Sequence, residues 1–372
     1  MPDMLRGLEL DEPTAAILRR FGFDRPTWER LRAALRAGWD ESAQRVGSDV
    51  APPPADSLVR VPTDAETRAR HEKRGLEAIA RGEVGAVVLA GGMATRFGGV
   101  VKAAVDALPG RTFLALKLAS IEVVAKRAGG QVPVALMTSF ATEDAVAELA
   151  KPHAAARTFP QFVSLRLTPS GDVFREADGS ASPYAPGHGD LTFALRSRGV
   201  LGDFARAGVR VVFVSNVDNL AASLDPVLVG MHLEGGAAAS VEVVDKVKGD
   251  RGGAPAVVGG VPQIVESFRF PPEFDQDRIP VFNTNTFWFD LAAIDRDFDL
   301  TWCRVEKKVE SRVAIQLERL CGEVTRFLPT RFLVVARSGS DSRFLPVKDV
   351  PELEARKGEI ESVMRAIGVD VG

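Results

Sequence analysis

Several residues in this chain have the type and placement to do chemistry, and most follow short apolar runs. The segment VVFVSNVDN, residues 211–219, sets Asn216 and Asp218 at the carboxyl end of a β-branched stretch. A carboxylate there can hold a hard divalent cation, which takes carboxylate and phosphate oxygens. The same aspartate would also serve as a turn or helix N-cap residue. The segment VGAVVLAGGMATRFGGVVK, residues 84–102, passes from an apolar run into Gly91-Gly92, Thr95, Arg96, Gly98-Gly99 and Lys102. Glycines after a buried strand let successive N–H groups converge on an anion, and Arg96 and Lys102 add positive charge. A phosphate-bearing ligand suits this loop, as does an ordinary Gly-rich turn with two solvated cations. His188, one of four histidines, lies between glycines in PGHGD, so ring and backbone can both approach a ligand.

Two familiar phosphate loops are excluded. The Walker loop needs a terminal Gly-Lys-Ser/Thr, and the dinucleotide fingerprint needs G-x-G-x-x-G. This loop has adjacent glycines and neither ending. Nor does any Ser-His-Asp or Cys-His pattern offer a nucleophile.

The elements that must position these residues alternate. Val84–Leu89, Val132–Met137, Arg210–Val214, Ala238–Val244 and Phe332–Val335 read as strands. Phe113–Arg127, Thr142–Leu149, Asp225–His232 and Glu306–Leu320 read as helices, and Pro280–Phe289 as extended. Such alternation predicts an open, largely parallel sheet with helices on both faces, and ligands in such sheets bind beyond the carboxyl ends of the strands. The expected fold is therefore α/β: a three-layer α/β/α, doubly wound, mostly parallel but mixed, Rossmann-like sheet. Residues 1–82 read as an N-terminal helical extension packed on the core, broken at Pro52-Pro53-Pro54, with Thr63 and Glu66 as a capping box. Residues 83–349 are expected to form the main α/β domain, which would carry the site, and 350–372 a short C-terminal helix or tail.

Composition limits the partners. The 372 residues are 45% hydrophobic and 26% charged, values of a globular protein. With 47 basic against 50 acidic residues the net charge is −3, so no electrostatic footprint for nucleic acid or anionic membrane exists. No apolar run reaches the roughly 20 residues of a membrane span. MPDMLRGLELDEP carries acids early and does not read as a signal peptide. Cys303 and Cys321 are expected as buried free thiols, and a cytoplasmic location follows from that usage.

The set of motifs resembles the UDP-sugar pyrophosphorylases, the uridylyltransferase family that includes UDP-glucose pyrophosphorylase. LAGGMATRFGG is similar to that family's LAGG-x-GTR-x-G loop, APGHGDL to PPGHGD, FVSNVDNL to SN-x-DNL, and FNTN to F-N-T-N-N-L-W. SRFLPVK, residues 342–348, matches the family's run at every position, and the likeness extends from about Arg74 to Asp349 in the same order. The resemblance implies a nucleotidyltransferase (GT-A-like) fold. It implies Mg2+ on Asp218, nucleotide contacts from Leu89, Ala90, Gly91, Gly92, Met137, Thr138, Gly187, His188 and Asn216, and sugar contacts from Glu242, Asn283 and Asn285. It gives catalytic roles to Lys102, Lys348, His188 and Arg96. Three departures stand out: Ala94 replaces a loop glycine, GGVVKAA lacks a proline and one of two lysines, and Asp245 stands where asparagine is usual. If Ala94 occupied a left-handed position, it would cost about 1 kcal/mol relative to glycine. With some twenty residues after Lys348, the C-terminal β-helix of eukaryotic members is not expected in this chain.

The implied activity makes UDP-glucose and pyrophosphate from UTP and glucose 1-phosphate, with Mg2+, in a protein favoured as a monomer. UDP-N-acetylglucosamine or another UDP-sugar is the alternative product. A catalytically weak relative that binds sugar nucleotide as a sensor is the alternative of a different class.

Overall fold

The run Val84–Leu89 is extended because its β-branched residues favour a pleated surface, and it is buried because elements cover both of its faces. The computed structural model describes residues 5–94, 97–250 and 252–371. In chain order the main sheet comprises β1 (Leu58–Arg60), β2 (Val84–Leu89), β3 (Val134–Thr138), β4 (Ala156–Pro160), β5 (Val211–Asn216), β6 (Ala239–Asp245), β7 (Val281–Asp290) and β8 (Thr330–Val334). Its spatial order is β1-β8-β6-β7-β5-β2-β3-β4. Only β7 runs against its neighbours, β5 and β6; every other pairing is parallel. The mixed, mostly parallel sheet is the expected one.

Helices α1 (Glu12–Phe21), α2 (Arg25–Arg36), α3 (Ala65–Ala80), α4 (Phe113–Ala128), α5 (Glu143–Ala150), α6 (Leu191–Ser197), α7 (Val200–Arg206), α8 (Pro226–Gly235), α9 (Leu291–Ile294) and α10 (Val350–Ile367) complete the fold. Alternation along β2 divides the core. Val84, Ala86 and Val88 pack with α3, α4, α8 and α10, whereas Val87 packs with α6, α7 and the hairpin of Ala254–Val258 and Val261–Val265.

Residues before Gly82 do more than cover the core. Helices α1 and α2, capped by Asp11 and Asp24, pack on Val163, Leu165, Leu167, Ile315 and Leu317. Leu58–Arg60 joins the sheet as β1, parallel to β8, so the segment is not helical throughout. Helix α3 is capped by Asp64, whose side chain accepts from Thr67 N, not by Thr63.

The helix expected over Glu306–Leu320 is a β-hairpin. Strands Cys303–Val309 and Arg312–Glu318 pair antiparallel around Glu310-Ser311, both with positive φ (49° and 69°). That two-residue geometry twists correctly for a hairpin but normally uses Asn-Gly, so the sequence hides it behind helix-forming residues. The exchange of backbone hydrogen bonds between Ile315 and Leu167, 2.7 and 3.0 Å, ties the hairpin to the core.

Candidate active site

Register across three parallel strands gathers the first residues. Leu89 lies opposite Asn216 on β5 and Met137 on β3, at the carboxyl edge of the sheet. Beyond Leu89 the chain leaves the sheet through Ala90, whose N–H donates to the Met137 carbonyl at 2.8 Å. A Cβ at Gly91 would lie 2.4 Å from the Gln161 amide nitrogen and 3.2 Å from the Thr138 backbone carbon, so a larger residue would displace the Gln161 amide. Gly92 is exposed, and its carbonyl accepts from Lys102 N at 3.3 Å. Met93-Ala94 then pairs antiparallel with Val100-Val101. Ala94 is thus extended, not left-handed, and the strain anticipated for it is absent; among the described residues of the loop, positive φ values belong to Gly98 and Gly99. Arg96 lies outside the described residues.

Asp218 and Lys102 meet. The lysine ammonium donates to Asp218 Oδ2, and each side chain is 18% exposed. Among the described residues no three His, Cys, Asp or Glu side chains gather into an all-protein metal site. A mostly buried carboxylate beside the Gly91-Gly92 loop fits Mg2+, which commonly binds through one or two carboxylates with substrate phosphates and water completing its shell.

A bulge on β7 supplies the asparagines. The pairing of β6 with β7 jumps from Glu242–Thr286 to Val243–Asn283, leaving Thr284 and Asn285 as extra residues. Asn285 takes φ 57°, a region asparagine tolerates. Its N–H donates to Asn283 Oδ1 at 3.0 Å, and its amide donates to Asn216 Oδ1 at 3.1 Å. Two candidate residues from different motifs are therefore in direct contact.

Gly187 is tied to the loop of Gly91 through Gln161, and His188 follows it in the chain. Gly187 N donates to Gln161 Oε1 at 3.0 Å, from a backbone at φ 91°, ψ −170° that only glycine adopts readily. The Cys321 N–H donates to His188 Nδ1 at 3.2 Å, so the neutral ring carries its proton on Nε2. Burial pulls the His188 pKa down. The histidine is thus a neutral donor through Nε2. Cys321 is a free buried thiol with its pKa pushed up to about 12, and Cys303 is free with its pKa pushed up to about 11.

Met137 and Thr138 offer only part of what was expected. Met137 is a core side chain, and the Thr138 hydroxyl is engaged by Glu143. The Met137 and Thr138 carbonyls already accept from Ala90 N and Gln161 N, leaving one lone pair each. Gln161, which sequence reasoning missed, sits where the loops of Gly91, Thr138 and Gly187 converge. It follows β4 as the other site residues follow their strands, but ARTFP ends in proline and does not read as a strand.

Glu242 does not face a sugar. It is fully buried, and both oxygens are occupied: Arg343 Nε donates to Oε2 at 2.9 Å, while Arg343 and Trp288 donate to Oε1 at 2.6 and 3.0 Å. The reason is that its strand position points between sheet and helices, where an unpaired carboxylate is not tolerated. SRFLPVK is held to the Asp218 turn by Asn219, which donates to Arg343 O at 3.1 Å and accepts from Leu345 N at 2.8 Å. Lys348 is exposed at its end, with its backbone N–H on Glu352. Asp245 pairs with Arg60 of β1 at 3.0 Å.

A largely parallel sheet with its polar side chains gathered at the carboxyl edges defines a Rossmann-like α/β protein. The chain belongs to the UTP–glucose-1-phosphate uridylyltransferase family, whose profile matches residues 40–360. The Saccharomyces cerevisiae UTP–glucose-1-phosphate uridylyltransferase is 32% identical over 299 residues, covering 73% of this chain and 58% of that protein. The Encephalitozoon cuniculi protein of the same name is 29% identical over 278 residues, covering 71% and 56%. The chain thus spans less than two thirds of these relatives' lengths. Two Trypanosoma brucei structures share the fold. One is a UDP-N-acetylglucosamine pyrophosphorylase in complex with inhibitor (TM-score 0.78, 20% identity, covering 96% of this chain and 82% of that one). The other is a UDP-glucose phosphorylase (TM-score 0.74, 24% identity, covering 93% and 76%).

Proposed function

We propose that the protein transfers a uridylyl group from UTP to glucose 1-phosphate, releasing pyrophosphate, and that it works in the cytoplasm as a monomer with Mg2+ as cofactor. The contact of Lys102 with Asp218, at the meeting of the phosphate loop and the SNVDNL turn, is the observation that carries this reading. Transfer of this kind needs positioning and charge neutralisation more than a covalent nucleophile.

A divalent cation on Asp218 would supply charge neutralisation at the α-phosphate. Lys102 adds positive charge beside it, and Gly91 and Gly92 present backbone to the remaining phosphates. His188 Nε2–H donates to a phosphate oxygen as a neutral group, so it adds a hydrogen bond without a charge. Gln161, anchored by Gly187, presents its amide to the base, while Asn216 and Asn285 address the ribose or sugar hydroxyls. Lys348, free of side-chain ion pairs to the described residues, meets the incoming sugar phosphate.

Incubation with UTP, Mg2+ and a panel of sugar 1-phosphates, including the glucose and N-acetylglucosamine esters, tests this through pyrophosphate release. Pyrophosphate with glucose 1-phosphate is the expected result. Binding of UDP-glucose without turnover of any sugar phosphate would leave a sensor instead.

A further inference from the structure

Helix α4 carries one residue out of character with its neighbours. In FLALKLASIEVV the core face is formed by Phe113, Leu116, Ser120, Ile121 and Val124, and Lys117 lies on that same face with no exposed surface. Among the described residues its ammonium touches no carboxylate. It donates to the Asn219 carbonyl at 2.5 Å and the Ala222 carbonyl at 2.8 Å, and sits 3.5 Å from Ser215 Oγ. These three oxygens bracket Asp218 in the chain. A buried cation held only by neutral oxygens is costly, and an apolar residue would fill the position at less cost. Asn219, whose carbonyl Lys117 holds, in turn fixes the backbone of Arg343 and Leu345 through its side chain.

We propose that Lys117 is a positioning residue for the metal-binding turn: from beneath the sheet edge it holds Ser215–Ala222 in the conformation that presents Asp218, and through Asn219 it aligns the SRFLPVK segment with that turn. This rests on the metal-dependent reading above. Loss of Lys117 should leave a folded protein whose turn relaxes, and with it the aim of the Asp218 carboxylate. Residues that orient a metal ligand typically change metal affinity by about 10–100-fold when removed.

The test compares wild type, Lys117→Met and Asp218→Asn for Mn2+ binding in the presence of UTP, without sugar phosphate, by electron paramagnetic resonance of the free ion. Lys117→Met keeps the stem and removes the donors. It should weaken Mn2+ by roughly tenfold and raise the half-saturating Mg2+ in the turnover assay. If Asp218→Asn binds Mn2+ as wild type does, the metal assignment fails, whatever Lys117 does. If Asp218→Asn loses Mn2+ and Lys117→Met does not, the proposal is overturned. Lys117→Gln, which keeps one donor for the Asn219 carbonyl, should recover part of the loss, and supplies the comparison if the Met variant unfolds. Failure of both variants to fold would make Lys117 a stability residue only and would also overturn it.

Discussion

Arg343 and Glu242, 101 positions apart in the chain, form a two-pronged ion pair in which the arginine is 5% exposed and the glutamate not at all. The pair joins β6 to the SRFLPVK segment, and Arg343 also donates to Ser223 Oγ at 3.0 Å, just past the Asp218 turn. It makes Glu242 a structural residue. Glu242→Gln should leave Arg343 buried beside a neutral amide and destabilise the protein by about 3–5 kcal/mol, measured by urea denaturation. Unchanged stability with a raised KM for sugar phosphate would place Glu242 at the substrate after all.

Asp218→Asn keeps the shape of the side chain but removes the charge that holds both Lys102 and a hard cation. The variant should fold normally and lose most activity. Identical Mg2+ titrations for wild type and variant would show that the aspartate serves the Lys102 contact alone.

Lys348→Ala should depress turnover by about a hundredfold or more, the scale seen when a positioned charge is removed from a developing oxyanion. Because Lys348 is exposed, stability should not change. Lys348→Arg should rescue poorly, since a planar fork does not replace a point charge on a flexible stem. Full activity of the alanine variant, read by steady-state kinetics, would exclude the lysine from the site.

Ala94 lies in an extended pair with Val100. Glycine there relieves no left-handed strain, so Ala94→Gly should leave the KM for UTP within about twofold of wild type, a change below roughly 0.5 kcal/mol. A several-fold fall in KM would mean that nucleotide binding drives the loop into another conformation.

Burial of Lys117 pushes its pKa from 10.5 down to about 7. Above that value the folded chain has released a proton that the unfolded chain holds until about pH 10.5, so stability rises with pH across this window. Below about pH 7 both states are protonated and the full cost of the buried charge remains. Lys117→Met lacks this term. Its stability advantage over wild type should be largest near pH 6 and shrink toward about pH 10, measured by urea denaturation at both. A pH-independent difference would show that the ammonium stays charged in the folded state.

Much of this architecture was legible in the chain alone. β2, β3 and β5 announce themselves as short, mostly apolar runs, because strands covered on both faces must be apolar along their length. Their carboxyl ends then point to Gly91, Met137, Asn216 and Asp218 before any coordinate is known, since ligands in such sheets bind at those ends. Local sequence could not show which side chains would meet across the fold. Glu306–Leu320 is rich in helix formers, yet Ile315 and Leu317 are drawn into the cluster under α1 and α2, and packing overrides propensity. Glu242 and Arg343 are ordinary residues in their own segments; only the close approach of β6 and the SRFLPVK segment makes them a buried pair. Nothing local to α4 marks Lys117; only the turn after β5, whose carbonyls it meets, gives it partners. Contacts between segments a hundred residues apart depend on how the layers stack, and stacking is decided by the whole core at once.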